Sequence, residues 1–368
     1  MKTQAHHRGA FTLVELLTVI AIIGVLVGLI VPAVGFALRK VKENAIAMEV
    51  MTLSNAFSGY EQEFNDLPPD GTSSTIVSRH LLKLFPQMAS SELRLLTTDT
   101  FPGTSTLLVN NASVAPGMES PAGVMDPAEA VVFFLGGFSD DPQYPLSGVG
   151  GPFFILGQNG QVTSATPAAQ RVSVQYNTER TNPLYEFDSG QLTLAQGNLT
   201  LSNDEEEILG NPNANDCLPA YRPRGNSAPY VYFDSRTYSV SVPGGLFFSH
   251  YTTSQFGVAR PYRSSQRNTR TAATPANADS YYEYMNPGTF QFVSAGLDDS
   301  FGGIPFTSGG GPVFYEFASG QSIDFGGYPG NAPVEGGYSR YQDDSGLSTQ
   351  LDNVTNFSEG VLGDALEN

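Results

Sequence analysis

The pattern of polar and apolar residues divides the chain into a long apolar helix and a following region of short apolar runs. The 23 residues from Leu16 to Leu38 include no charged side chain. A helix of this length spans the roughly 30 Å hydrocarbon layer of a membrane, because each residue adds about 1.5 Å. The sequence therefore predicts one membrane-spanning helix near the N-terminus.

The same helix is predicted to continue beyond the membrane segment as an amphipathic helix. Its apolar residues recur at spacings of three and four, which defines one face. They are Ile46, Val50, Leu53, Phe57, Tyr60 and Phe64. Residues 65–71 then bring two prolines and a glycine, which end a helix. We expect a single helix from about Thr12 to Phe64, with its apolar face covered by the rest of the chain.

Beyond Gly71 the apolar runs are brief and are bounded by Gly, Pro, Asn or Asp, which is typical of strands and turns. Strands are predicted at Ala130–Leu135, Pro152–Leu156, Tyr230–Phe233 and Thr289–Val293, and short helices near Leu81–Leu84 and Glu92–Leu96. The expected fold class is α+β, a long N-terminal helix packed on a β-rich, loop-rich head of antiparallel sheets. We expect one head domain at residues 65–368, with a division near residue 210 as the alternative.

The charge of the chain limits the partners that its surface can attract. The formal net charge is −18, and it would be −20 if Lys2 and Arg8 were removed with a leader. Such a surface repels nucleic acid, so no nucleic-acid partner is expected. Four closely spaced arginines form a local exception and could contact phosphates, but we favour a solvated loop. They are Arg260, Arg263, Arg267 and Arg270.

Candidate catalytic chemistry is sparse. Cys217 is the only cysteine, which excludes an intramolecular disulfide. The sequence has no HExxH, GxSxG or Walker motif. Outside the first ten residues only His80 and His250 could act as bases, and each is predicted to be a surface or hydrogen-bonded histidine. We therefore do not expect an enzyme.

The residues before the apolar helix have an unusual arrangement. A short basic leader at residues 1–10 is of the kind that stays in the cytoplasm. Glu15 lies against the apolar run, where a carboxylate needs a partner because its burial is costly. The segment Arg8–Leu17, with the sequence RGAFTLVELL, resembles the N-terminal cleavage and methylation motif of type IV pilins and type II secretion pseudopilins.

That resemblance implies a sequence of processing and assembly steps. A prepilin peptidase would cut between Ala10 and Phe11, with the bond after Gly9 as the minor alternative, and the new Phe11 amine would be methylated. Glu15 would then pair with the N-terminal amine of a neighbouring subunit. Pro32 matches a proline that, in pilin helices, marks a stretch able to unwind on assembly. An ordinary signal anchor is the alternative to this reading.

A second resemblance lies near the C-terminus, within residues 286–357. Residues 286–302 look like the strand and loop of major type II secretion pseudopilins, and residues 352–357 are similar to the segment that closes that loop, although residues 303–351 separate the two here. In that family the two segments hold calcium. The resemblance implies calcium ligands that we place at Asp298, Asp299 and Asp352. Asp343 and Asp344 are the reserve ligands.

Together the resemblances imply a structural pseudopilin of a type II secretion filament with an enlarged head. Its expected partners are copies of itself, other minor pseudopilins, the prepilin peptidase, the assembly platform and membrane lipid. The expected location is the bacterial inner membrane, crossed once, with the head in the periplasm and the filament periplasmic or at the surface. The alternatives are a type IV pilin or minor pilin for adhesion or motility, and a membrane-anchored binding module.

Overall fold

The computed structural model of the protein describes most of the helix and the head. The described residues are 13–96, 125–194, 202, 217–242, 245–253, 255–267, 281–302, 312–325, 334–335, 337–338, 340–342, 347 and 350–366. The chain forms two compact units, one ending at Ala45 and the other comprising Ile46–Asn368. We describe each unit by itself.

The helices lie in the first part of the described chain. They are α1 (Leu13–Phe64), α2 (Ser74–Leu84), α3 (Ser90–Leu95) and α4 (Glu129–Leu135). The prediction of one long helix ending at Phe64 is confirmed, and so are the two short helices. Asn65 adopts a left-handed conformation with φ of 50° directly after α1, and the prolines that follow cannot extend the helix.

The head is built from small antiparallel sheets, as the α+β prediction requires. Its strands are β1 (Phe153–Gly157), β2 (Gly160–Val162), β3 (Arg171–Tyr176), β4 (Val231–Asp234), β5 (Ser239–Val242), β6 (Gly245–Phe248), β7 (Tyr251–Thr253), β8 (Gly257–Ala259), β9 (Arg263–Arg267), β10 (Tyr282–Tyr284), β11 (Phe290–Ser294), β12 (Val313–Tyr315), β13 (Ser322–Asp324), β14 (Val334–Glu335) and β15 (Val354–Thr355). Three-stranded sheets have the orders β2-β1-β3, β15-β11-β4 and β12-β13-β14. The strands predicted at 152–156, 230–233 and 289–293 are confirmed as β1, β4 and β11.

The amphipathic part of α1 packs on the sheet β15-β11-β4. Ile46, Val50, Leu53, Phe57 and Tyr60 are buried, as their spacing predicts. The Phe57 ring stacks on Tyr232 of β4 with their centroids 4.2 Å apart, and it also contacts Phe290 and Phe292 of β11. One face of α1 therefore forms part of the largest core cluster of the head.

The predicted strand at Ala130–Leu135 is wrong, because these residues form α4. A pair of side chains fixes the start of this helix. The Asp126 carboxylate accepts hydrogen bonds from the amides of Ala128 and Glu129, and the Glu129 carboxylate accepts one from the Asp126 amide. All residues of α4 are buried, and a fully apolar run lacks the periodicity that separates a helix from a strand.

Candidate functional site

The N-terminal unit presents an apolar helix surface. The large hydrophobic residues from Leu13 to Val41 are exposed in the protein. Among the described residues, α1 is the one helix that is long and apolar enough to cross a membrane by length and composition. This finding is compatible with a single membrane anchor.

The predicted assembly residues lie on or beside this helix. Ala10 and Phe11 lie outside the described residues, so the predicted cleavage bond stays a prediction. Glu15 is exposed in the first described turn of α1. The helix runs through Pro32 without interruption. At the end of the apolar stretch, Arg39 and Lys40 both pair with Glu43, at 3.0 and 3.4 Å.

The structure brings together the two C-terminal segments that the sequence separates. Val293 and Ser294 of β11 pair with Thr355 and Val354 of β15 in antiparallel register. The loop after β11 then lies against the segment before β15. Gly296, with φ of 69°, approaches the Asp352 backbone so closely that a Cβ atom there would lie 2.1 Å from the Asp352 carbonyl oxygen.

Two of the predicted calcium ligands are neighbours in this loop. The Asp352 carboxylate accepts hydrogen bonds from the amides of Leu297 and Asp298, at 3.0 and 3.1 Å. Burial raises the pKa of Asp298 to about 6, and the negative charges of Asp352 and Asp299 add to this rise. These two carboxylates therefore repel each other when both are ionised.

The third predicted ligand, Asp299, already accepts hydrogen bonds from another segment of the head. One carboxylate oxygen of Asp299 accepts hydrogen bonds from the amides of Ser227 and Ala228. Asp343 and Asp344 lie outside the described residues. No group of three or more His, Cys, Asp or Glu side chains within the described ranges is arranged to hold a metal ion. A calcium ion at Asp298 and Asp352 would therefore draw its remaining ligands from other oxygens, such as backbone carbonyls.

The prediction of a solvated arginine loop is wrong for the three arginines that the structure describes. Arg260 and Arg263 are buried, and Arg267 pairs with Glu316 at 2.7 Å. The Arg263 guanidinium lies 3.5 Å from the ring centroid of Tyr284 and 4.5 Å from that of Phe314. Aromatic faces attract cations, so these side chains are placed in the core and not at a phosphate-binding surface. Arg270 lies outside the described residues.

Sequence reasoning did not identify two partly buried polar clusters that include residues of α1. His80 bridges the Tyr60 hydroxyl, at 2.8 Å, and the Asp66 carboxylate, at 3.2 Å. This confirms a hydrogen-bonded His80, and His250 likewise contacts the Phe248 carbonyl oxygen. In the second cluster, Glu49 accepts hydrogen bonds from the hydroxyl groups of two tyrosines and from a glutamine amide. The three donors are Tyr221, Tyr230 and Gln191.

Comparison with known proteins gives one result, at the N-terminus. The family model for the prokaryotic N-terminal methylation motif matches residues 6–31. No curated protein and no solved structure matches the chain. The motif includes the second half of the basic leader, Glu15 and the first part of the exposed apolar helix, and it is typical of structural, pilin-like proteins. The matched motif and the single membrane-length helix indicate a type IV prepilin-like protein.

Proposed function

We propose that the protein is a structural filament subunit, a pseudopilin of a type II secretion system, that assembles through α1 and drives protein export. The observation that carries this proposal is the methylation motif at residues 6–31, which includes the first part of a helix whose apolar surface is exposed. An apolar surface of this size needs lipid or other helices around it. A membrane supplies the first environment and a filament core supplies the second.

In this proposal each subunit is processed before it leaves the membrane. The prepilin peptidase cleaves between Ala10 and Phe11, and the Phe11 amine is methylated. Glu15 then pairs with the Phe11 amine of a neighbouring copy, an ion pair that is strong in the low-dielectric core of a helix bundle. Pro32, which lacks a backbone N–H, is the place where α1 would loosen during extraction.

The head lies in the periplasm in this proposal, and the partners are other copies, minor pseudopilins and the inner-membrane assembly platform. The close approach of residues 286–302 and 350–357 supports the likeness to secretion pseudopilins in particular. A type IV pilin carries the same N-terminal motif and remains the second candidate. A membrane-anchored binding module is the third, and it requires no cleavage.

Mass spectrometry of the mature protein tests the proposal directly. We expect a chain that begins with N-methylated Phe11. An intact leader would contradict filament assembly and favour the anchored module. Electron microscopy of cells that contain the protein at its native level then separates the two filament classes, because we expect a secretion pseudopilin to give short filaments confined to the envelope, whereas a pilin gives surface fibres.

A further inference from the structure

An aromatic hollow lies where α1 ends. Its volume is about 180 Å³, and it opens to solvent. Phe134 and Phe138 are buried at its floor, and Phe85 contacts Phe138 with ring centroids 5.2 Å apart. Phe64 and Leu184 complete the apolar walls. The hollow is smaller than the roughly 300–1,000 Å³ of small-molecule sites, so it suits a single side chain.

The rim of this hollow is acidic. Glu63 and Asp140 are exposed there, and neither forms an ion pair with a described residue. Asp140 accepts a hydrogen bond from the Asn182 amide at 3.1 Å, which holds its carboxylate at the rim. The nearby cation Lys83 is engaged with Asp66 at 3.3 Å and with the Asn65 carbonyl oxygen.

A second hollow of the same character lies beside the first. Residues 182–187 separate the two, because Asn182 and Leu184 line the first hollow while Pro183 and Tyr185 line the second. The second hollow has a volume of about 400 Å³ and includes three aromatic residues and two exposed glutamates. These are Tyr176, Tyr185, Phe187, Glu179 and Glu186.

One cation, Arg180, also lines the second hollow, and its guanidinium is held by neutral acceptors. The Arg180 guanidinium donates to the carbonyl oxygens of Val132, Phe133 and Gly137 at the C-terminus of α4, and to the Tyr176 hydroxyl. The negative end of the helix dipole and these four acceptors hold Arg180 in place. The two carboxylates, Glu179 and Glu186, outnumber the single guanidinium, so the lining of the second hollow carries a net negative charge.

We propose that the two hollows form a docking site for a basic segment of another protein, with a lysine or arginine side chain in each. The aromatic rings would bind the apolar stem and the cationic head of such a side chain, and the rim carboxylates would pair with the charge. The net charge of −18 attracts a basic partner over a longer range. The four exposed carboxylates that line the hollows complement a basic segment, and this chain has only 18 basic against 36 acidic residues, so the occupant that we infer is a different protein.

The test is peptide binding to the full-length protein in detergent, measured by fluorescence anisotropy. The probe is a labelled, capped octapeptide with two lysines, and its neutral twin has glutamines in their place. We expect the double variant Glu63→Gln/Asp140→Asn to weaken lysine-peptide binding at least tenfold. Phe85→Leu, which removes a ring but keeps apolar bulk, should weaken it about threefold.

A matched control separates the site from the overall charge. The double variant Glu61→Gln/Glu283→Gln removes two exposed carboxylates outside the hollows and should bind as the wild type does. Equal losses in both double variants, or equal binding of the neutral twin, would overturn the proposal. Sedimentation that shows self-association abolished by Glu63→Gln/Asp140→Asn would also overturn it, because the occupant would then be a second copy.

Discussion

His80 makes the stability of the head sensitive to mild acid. Burial lowers the pKa of His80 to about 4, although the hydrogen bond and charge of Asp66 oppose this shift. The folded protein therefore favours the neutral ring. The stabilisation that the neutral His80 ring provides is complete above the unfolded-state pKa of about 6.5. It is lost as the pH falls toward the folded-state pKa. We expect the contribution of His80 to the free energy of unfolding to decrease from pH 7 to pH 5, while carboxyl groups with raised pKa values, such as Asp234 and Asp298, contribute in the opposite direction.

Urea unfolding at several pH values checks this expectation. His80→Gln keeps a polar group but removes the titration, so the stability difference between the wild type and this variant should become less favourable to the wild type as the pH falls from 7 to 5. His250→Gln, which changes the other histidine of the described chain, should leave the pH dependence of stability as in the wild type. A stability difference between the wild type and His80→Gln that is the same at pH 7 and pH 5 would contradict this role of His80.

Single polar residues show where the sequence loses predictive power. The partners of Glu49 lie 142 to 181 positions away, so no local pattern reveals that this carboxylate belongs to a buried cluster. The same holds for Arg263, whose aromatic neighbours come from β10 and β12. Spacing identifies a helix face, whereas long-range hydrogen bonds and cation–π contacts depend on the tertiary fold.

Among the elements, α1 packs on β4 and β11 through the ring of Phe57. We expect Phe57→Ala to reduce the free energy of unfolding by about 3–5 kcal/mol, because the cavity would open against three aromatic rings of β4 and β11. Met51→Ala on the exposed face of the same helix should change it by less than about 0.5 kcal/mol. Chemical unfolding of both variants measures the difference, and similar losses would contradict this packing.

Hydrophobic periodicity predicts some helices and strands of this protein but not others. The face of α1 follows from residues three and four apart, and β1, β4 and β11 follow from runs bounded by turn residues. Helix α4 does not follow, because seven consecutive buried residues fit either element. The available signal was Asp126 with Glu129 three positions later, which is a helix-start pattern. In such a segment the capping side chains, and not the hydrophobic pattern, indicate whether a helix or a strand forms.

The conformation of the loop after β11 requires a glycine at position 296, where the loop lies close to the Asp352 backbone. We expect Gly296→Ala to be clearly more destabilising than Gly288→Ala. Both positions have positive φ, of 69° and 85°, which costs an alanine about 1–2 kcal/mol. Only Gly296 faces the Asp352 backbone, whereas nothing lies within 4 Å of a Cβ at Gly288. Thermal unfolding of the pair isolates the contact, and equal midpoints would mean that the loop moves away without cost.

On the scale of the whole molecule, a substitution of Glu15 should affect membrane insertion and filament assembly differently. We expect Glu15→Ala to insert at least as well as the wild type, because a charge in an apolar helix opposes insertion. Filament yield should fall strongly, because the Phe11 amine of the neighbouring copy loses its partner. Membrane fractionation and filament counts measure the two effects, with Glu43→Ala as a charge-matched control on the same helix. A normal filament yield from Glu15→Ala would remove this role.

The C-terminal loop gives the last prediction, which concerns calcium and the stability of the head. At neutral pH the ionised Asp298 lies beside Asp352, and burial together with this neighbour makes its charged form unfavourable. Calcium bound to the folded protein alone would remove this penalty and would add about 2.7 kcal/mol at a concentration 100 times its dissociation constant.

We expect millimolar calcium to raise the thermal midpoint relative to chelator. Asp352→Asn, which keeps an oxygen for the amides of Leu297 and Asp298, should abolish that shift, whereas Asp299→Asn should retain most of it. The shift should also shrink near pH 5, where Asp298 is largely protonated and competes poorly for the ion. A midpoint that does not respond to calcium in the wild type would leave these carboxylates as loop-capping groups whose role is to hold residues 297–300 against the segment before β15.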